Sequence, residues 1–230
     1  MKQTNTILLL TIILLWLIFG CTSRDNKKLD RTNNLKIEKI PNETVDPIST
    51  IRLLDMKSNN LTDNVLKNEN GPLMIVFWAT TCGPCIKELN TISPLYEKWK
   101  KEYNLKLIAV SPEYLRQESI NQLIKKLNTN KDTLLERQNL RFQKFIGNHN
   151  YDFDLFLDSN DELTNFLHSF KGIDTTYIRS GYFNGQPRVW TPQTVIIDKE
   201  GNLIKQKVGF NAGDEIMIEN ILTEMKQNAL

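Results

Sequence analysis

The sequence has few of the residues that build permanent cross-links or metal centres. It contains three cysteines and two histidines in 230 residues. Cys82 and Cys85 form a close pair and the third cysteine is Cys21, so no cysteine is left for a structural disulfide inside the folded domain. A zinc site needs four ligands, and the spacing of His149 and His168 is not typical of one. We therefore expect no metal and no cofactor, with half of a zinc site as the alternative interpretation of the pair.

The sequence also lacks a strong charge of either sign. Its 29 lysines and arginines oppose 27 acidic residues, which gives a formal net charge of +2. This balance does not favour nucleic acid as a partner. The hydrophobic content of 40%, with ten phenylalanines and four tryptophans, is sufficient for a packed core. The length allows one domain plus extensions.

The longest apolar run stands at the N-terminus, from Ile7 to Phe19. A lysine precedes it and Gly20-Cys21 follow it, which is the pattern of a secretory signal, and it is shorter than the roughly 20 residues of a membrane-spanning helix. Because residues 18–21 resemble a bacterial lipobox, we predict a lipoprotein signal segment at 1–21 with lipid on Cys21. An uncleaved anchor is the alternative, and both place the rest of the chain outside the cytoplasmic membrane. Residues 22–48 are polar and predict a flexible tether.

The cysteine pair stands between a predicted strand and a predicted helix. The apolar run Leu73 to Val76 is typical of a buried parallel strand, and an amphipathic stretch begins after Cys85. Free backbone N–H groups and a partial positive charge at a helix N-terminus stabilise a thiolate, which is the reactive form of cysteine. Pro84 suits the first turn of a helix, where its missing N–H costs nothing. The sequence therefore predicts a dithiol that alternates between reduced and oxidised forms.

The rest of the chain alternates between strand and helix patterns and predicts an α/β sandwich with a mixed sheet. A capping-box spacing from Ser159 to Glu162 predicts a helix that ends near Phe170, and residues 61–66 favour a helical turn. The other predicted helices run from Cys82 to Tyr103 with a kink at Pro94, over 113–127, over 132–146 and from Asp214 onward. The predicted strands cover residues 51–56, 73–79, 105–111, 153–157, 194–198 and 203–208.

Several of these pieces together resemble one family. Phe77-Trp78-Ala79-Thr80 precedes Cys82-Gly83-Pro84-Cys85, Glu88 follows three residues later, and Thr191-Pro192 stands directly before a strand. In this order they resemble the TlpA-like thiol–disulfide oxidoreductases, which are thioredoxin-fold proteins attached to membranes. The resemblance covers roughly residues 50–228. It implies a thioredoxin-like domain over 49–230, with a central mixed sheet flanked by helices, an N-terminal extension and a helical insertion within 112–190.

The resemblance also implies roles for residues around the pair. Cys82 would be the exposed nucleophile, and Cys85 the more buried cysteine that resolves the mixed disulfide. Trp78 would shield the dithiol. Thioredoxins carry a buried aspartate where this chain has Val76, and in TlpA-like proteins a glutamate at the Glu88 position is implicated in proton handling instead. The alternative for Glu88 is a solvated helix carboxylate.

Residues distant in sequence are expected to complete the site. By resemblance, Thr191-Pro192 contains a cis peptide bond that faces the cysteines and presents backbone groups to an extended substrate strand. A trans proline at a strand start is the alternative. Gly83 and Pro84 would support the site between the two cysteines. The sequence departs from the family at Asn90, where a proline is often found.

The leading functional hypothesis is a reductase of protein disulfides in the bacterial cell envelope, with the domain in the periplasm. Cys-Gly-Pro-Cys is the sequence of strongly reducing thioredoxins, at about −270 mV. The resemblance implies electrons from a thiol carrier in the membrane. One alternative is a thiol peroxidase, although Ile75 occupies the place of that pattern's proline. The other is a metal or protein chaperone that uses the fold without turnover.

Overall fold

The computed structural model describes residues 51–113, 121, 124–179 and 189–228. The predicted signal segment and tether lie outside the described residues. Most of the helix predicted over 113–127 also lies outside them, and its described end, 124–127, is helical. Within the described ranges, no helix is long and apolar enough to cross a membrane.

A mixed sheet of seven strands forms the centre of the described structure. The strands are β1 (Leu53–Asp55), β2 (Leu61–Thr62), β3 (Leu73–Phe77), β4 (Lys106–Ser111), β5 (Asp154–Leu157), β6 (Gln193–Ile197) and β7 (Leu203–Val208). Their order across the sheet is β2-β1-β5-β4-β3-β6-β7. Neighbours β3, β4 and β5 run parallel, and the remaining pairs are antiparallel.

Helices cover both faces of this sheet. Side chains alternate between the faces along β3, so Met74 and Val76 belong to one core and Ile75 and Phe77 to the other. The helices are α1 (Gly83–Tyr103), α2 (Lys131–Asn148), α3 (Glu162–Ser169), α4 (Thr176–Arg179) and α5 (Asp214–Gln227). The first core, which contains Met74 and Val76, is closed by α1, α2 and α5, and the second core is closed by α3 and α4.

Most predicted elements are present, and two predictions were wrong in detail. The residues expected to form a helical turn after Leu61 instead begin with strand β2, because Leu61 and Thr62 pair with β1. The capping box before α3 is not formed, since Asp161 has a positive φ of 58° and makes no side-chain cap. The buried Asp158 carboxylate accepts the helix-start N–H groups of Leu163 and Thr164 instead, at 3.2 and 2.9 Å.

Candidate active site

The cysteine pair lies where the central strand β3 gives way to α1. Cys82 is the N-cap of α1 in extended conformation, and its Sγ accepts a hydrogen bond from the Cys85 N–H at 3.2 Å. The two cysteines form a disulfide, with their Cα atoms 5.2 Å apart. Cys82 is half-buried and Cys85 is fully buried, while Gly83 and Pro84 between them are exposed. One sulfur is therefore accessible to another molecule and the other is enclosed by the protein.

Trp78 forms the buried wall behind this loop. Its side chain has no exposed surface, and its backbone N–H donates to the Val110 carbonyl at 3.1 Å. The indole Nε1 is buried without a hydrogen-bond partner among the described residues. The indole stacks on Phe145 of α2 at 4.4 Å between ring centroids, and Phe145 stacks on His149 at 4.3 Å. The insertion helix α2 thus supplies part of the packing around the dithiol, and His149 is a packing residue.

Glu88 lies under the dithiol. It stands three residues after Cys85 on α1, a spacing that makes the two side chains neighbours on one helix face. Only 2% of Glu88 is exposed, so it is not a solvated helix carboxylate. Its Oε1 accepts a hydrogen bond from the Thr194 hydroxyl at 2.5 Å, and its Oε2 is buried without a partner among the described residues.

This environment changes the proton affinity of Glu88. Burial is the largest cause and raises the pKa of the carboxyl from 4.5 to about 7, because a charge is poorly solvated there. The Thr194 hydrogen bond and the charge of Lys207 lower the pKa, and the charge of Asp214 raises it. A carboxyl with this pKa can both accept and release a proton near neutral pH.

Thr191-Pro192 lies at the same end of the sheet as the cysteine loop. Gln193, the next residue, pairs with Phe77 at the end of β3. The Thr191-Pro192 peptide bond is cis, as predicted, and the Pro192 carbonyl accepts the Gly209 N–H at 2.8 Å. Trp190 beside it is half exposed, at 50%. Residues over a hundred positions apart are thus brought to one edge of the fold.

A second carboxylate, which holds the loop before Cys82, was missed by the sequence analysis. Glu113 accepts two hydrogen bonds from Thr80, from its N–H at 2.5 Å and from its hydroxyl at 3.2 Å. Arg141 of α2 lies 3.7 Å from Glu113 Oε1, the oxygen that also accepts the Thr80 hydroxyl, and the buried Gln138 donates to the Glu113 carbonyl at 2.6 Å. Glu113 therefore connects the loop before Cys82 to the insertion helix.

The strand arrangement explains how Glu113 and Thr194, both missed by the sequence analysis, reach the site. Glu113 comes two residues after β4, and the carboxyl ends of the parallel strands β3 and β4 meet at one edge of the sheet. Thr194 is two residues after Pro192, and alternation along a strand puts it on the same face as Ile196 in the first core. Topology, once known, places both residues near the cysteines.

Other sequence-based candidates are not brought to this site. Cys21 lies outside the described residues. His168 lies on α3, which covers the second core on the opposite face of the sheet from Glu88. Among the described residues, no group of three or more His, Cys, Asp or Glu side chains is placed to hold a metal ion.

A mixed sheet with a redox-capable cysteine pair at the start of a long helix, and with a cis proline at the same end of the sheet, defines a thioredoxin-like protein. The Redoxin family matches residues 38–222, and the chain belongs to that family. Together, the family and the cysteine pair support a thioredoxin-fold oxidoreductase that works through thiols and disulfides.

Solved structures with similarity to this chain were also found. An uncharacterized thioredoxin-like protein from Porphyromonas gingivalis is 21% identical, covering 79% of this chain and 93% of its own, with a TM-score of 0.49. A putative thiol:disulfide interchange protein DsbE from Chlorobium tepidum is 16% identical, covering 81% and 94%, with a TM-score of 0.48. Peroxiredoxin Q from Xanthomonas campestris is 14% identical, covering 84% and 100%, with a TM-score of 0.51. At these identities the likeness concerns the fold alone. The comparison with curated proteins gave no match.

Proposed function

We propose that this protein is an extracytoplasmic thiol–disulfide oxidoreductase of the TlpA-like kind, which reduces disulfides in other proteins. The observation that carries the proposal is the unequal burial of the two cysteines, with Cys82 half-buried at the helix start and Cys85 enclosed. The donated Cys85 N–H and the helix N-terminus favour negative charge on the Cys82 sulfur. Cys82 is therefore the attacking residue and Cys85 the resolving one.

The reaction begins on the reduced protein. The Cys82 thiolate attacks one sulfur of the substrate disulfide, forming a mixed disulfide, and the displaced substrate sulfur leaves as a thiolate that takes a proton from water. The Cys85 thiol then gives its proton to the Glu88 carboxylate and attacks the Cys82 sulfur. The Cys82–Cys85 disulfide closes, and the second substrate thiolate leaves and accepts the proton held by Glu88. Two electrons pass to the substrate, which becomes two thiols.

The surroundings of the pair suit this sequence of steps. Glu88 lies one helical turn beyond Cys85 and has one oxygen without a hydrogen-bond partner among the described residues. A substrate segment in extended conformation can pair with backbone groups at Thr191-Pro192, which lie at the same end of the sheet as Cys82. Trp78 keeps water from the inner side of the disulfide. We assign substrate binding to Thr191 and Pro192 on this basis. Gly83 and Pro84 form the exposed surface between the two cysteines.

Trapping experiments test the cysteine assignment. We expect Cys82→Ser to abolish reduction of insulin disulfides, and Cys85→Ser to accumulate mixed disulfides through Cys82. In the native host, the proteins that remain linked to the Cys85→Ser variant identify the substrates. Faster alkylation of Cys85 than of Cys82 in the reduced protein would reverse the assignment.

We further propose that the chain is anchored in the bacterial cell envelope by lipid on Cys21, with residues 22–48 as a tether and the domain in the periplasm. The support is the apolar run that ends at Gly20-Cys21. In that location the dithiol would be regenerated by a thiol electron donor in the membrane. Mass spectrometry of the mature protein is expected to find a diacylated N-terminal Cys21, and a soluble product that begins elsewhere would contradict the anchor.

A thiol peroxidase is the second candidate, because the chain shares its fold with a peroxiredoxin. In that case Cys82 would attack a peroxide and Cys85 would resolve the resulting sulfenic acid. Ile75 stands where the peroxiredoxin pattern has proline, which favours the reductase. Consumption of hydrogen peroxide at a rate above that of insulin reduction would favour the peroxidase.

A further inference from the structure

Two charged residues lie beside the Thr194–Glu88 hydrogen bond. In the antiparallel pair β6–β7, Thr194 stands directly opposite Lys207. Residues opposite each other in such a pair point to the same face of the sheet. The Thr194 hydroxyl donates to Glu88 at 2.5 Å, so this face is the one that α1 covers. The Lys207 side chain therefore lies on the same face of the sheet as Glu88, on the edge strand β7 next to Thr194.

Asp214 meets Lys207 in that layer. The Lys207 Nζ lies 2.7 Å from Asp214 Oδ2 and also donates to the Gly209 carbonyl at 2.9 Å. Both side chains are mostly covered, with 19% and 15% of their surface exposed. Asp214 begins α5, which packs with α1 in the first core. The pair thus links the edge strand to the helix that borders the buried carboxyl.

We propose that Lys207 and Asp214 are opposed positioning residues for Glu88, and that together they set the pH at which Glu88 exchanges its proton. The Lys207 ammonium favours the charged form of Glu88. The Asp214 carboxylate disfavours that form, and it also holds the ammonium by a direct contact. The inference rests on the proposed function, in which Glu88 takes the proton of Cys85.

The two strands next to Glu88, β3 and β6, contribute no charge at its level. On β3 the neighbouring residue is Val76, and on β6 it is Thr194, neither of which carries charge. On α1 the titrating neighbours are the two cysteines, which do not titrate while they form a disulfide. The charged groups that act on Glu88 within the described part of the chain are Lys207, which lowers its pKa, and Asp214, which raises it.

The test reads Glu88 directly in the oxidised protein, where the cysteines carry no proton. The pH midpoint of the Glu88 carboxyl is measured by infrared difference spectroscopy, with Glu88→Gln as the blank that identifies its signal. We expect Lys207→Gln to raise the midpoint and Asp214→Asn to lower it, each by about half a unit to one unit. The double variant is expected to fall between the two, and Lys207→Arg to stay close to the parent protein.

A more exposed ion pair on the same helix α5 provides the control. Lys98 of α1 and Glu219 of α5 form a salt bridge, and Lys98→Gln and Glu219→Gln are expected to leave the Glu88 midpoint in place. Circular dichroism and denaturant unfolding identify variants that are not folded. Midpoints that do not move, or that move in the same direction in Lys207→Gln and Asp214→Asn, would overturn the inference.

The same variants separate this inference from the proposed function. The infrared titration needs no turnover, so opposite shifts without any insulin reduction would retain the electrostatic roles and reject the reductase. Insulin reduction with unmoved midpoints would retain the reductase and reject the roles of Lys207 and Asp214. If the reductase activity and the roles of Lys207 and Asp214 are both correct, the acidic limb of the pH–rate profile moves by the same amount and in the same direction as the infrared midpoint.

Discussion

Two glutamates support the cysteine loop and its helix, and their surroundings differ in almost every respect. Glu88, on α1, is 2% exposed and has one hydrogen bond among the described residues, from the Thr194 hydroxyl. Glu113, after β4, has a partly exposed side chain that accepts hydrogen bonds from the N–H and the hydroxyl of Thr80 and lies near Arg141. The Glu88 carboxyl is buried and has one oxygen without a partner in the described part of the chain, whereas the Glu113 carboxyl is held by several donors.

This difference separates two tasks that a thiol exchange site needs. A proton carrier must change its charge within the working pH range, and burial with few donors brings a carboxyl to that point. A loop anchor must keep its contacts throughout the cycle, and charge-assisted hydrogen bonds to a backbone N–H do this. We therefore interpret Glu88 as the titrating group and Glu113 as the residue that fixes the loop before Cys82.

The largest expected effect concerns Glu88 and the pH dependence of stability. The folded pKa is about 7 and the ordinary value is 4.5, so between these pH values the folded protein holds a proton that the unfolded chain has released. The contribution of Glu88 to stability is complete below about pH 4.5 and is lost as the pH rises to about 7. A shift of this size corresponds to about 3 kcal/mol.

Glu88→Gln removes this titration, so the difference between parent and variant isolates the contribution of the Glu88 proton to stability. We expect the difference in the free energy of unfolding, parent minus variant, to fall by about 3 kcal/mol between pH 4.5 and pH 7 and to be constant above that range. Denaturant unfolding of the oxidised proteins measures it without interference from the thiols. Parallel stability curves for parent and variant would mean that Glu88 does not carry a proton in the folded protein at neutral pH.

Replacing Glu113 is expected to have a smaller effect on stability, because Glu113 acts on the loop before Cys82. Glu113→Ala leaves the partly buried N–H of Thr80 without its acceptor, which costs about 1–3 kcal/mol. Glu113→Gln keeps an acceptor oxygen at that place and is expected to recover part of the loss. Unfolding measurements give the stability, and insulin reduction gives the effect on exchange. Equal stability of Glu113→Ala and the parent protein would remove the anchor role.

The sequence was sufficient to predict the framework of this site. A short apolar run followed by an amphipathic pattern placed β3 and α1 correctly around Cys82 and Cys85, because these patterns depend on local periodicity. The resemblance to a family placed Thr191-Pro192 at the same edge. Both predictions depend on features that can be recognised in a short stretch of sequence, namely the spacing of apolar residues around the cysteine pair and the Thr191-Pro192 motif.

The residues that act on the two glutamates were not predicted from the sequence. Thr80, Thr194, Lys207 and Asp214 are ordinary residues whose roles arise from strand register and helix packing, and periodicity does not specify register between distant segments. The same limitation explains the error after Leu61, where pairing with β1 decided the conformation over local preference. It also explains why Asp158, rather than the residues of the predicted capping box, binds the N-terminus of α3.

The smallest expected effect compares the two threonines that bind the two glutamates. Thr194→Val removes the hydrogen-bond donor that the described residues provide to the buried Glu88 carboxyl, and because that bond lowers the pKa of Glu88, its loss should raise the pKa further. Thr80→Val removes a longer hydroxyl contact of 3.2 Å but retains the N–H donor to Glu113 at 2.5 Å. We therefore expect Thr80→Val to cost less than about 1 kcal/mol and to leave the infrared midpoint of Glu88 in place, whereas Thr194→Val moves that midpoint upward. A midpoint shift in Thr80→Val as large as that in Thr194→Val would mean that the two carboxylates act as one coupled unit, and the division of tasks between them would have to be abandoned.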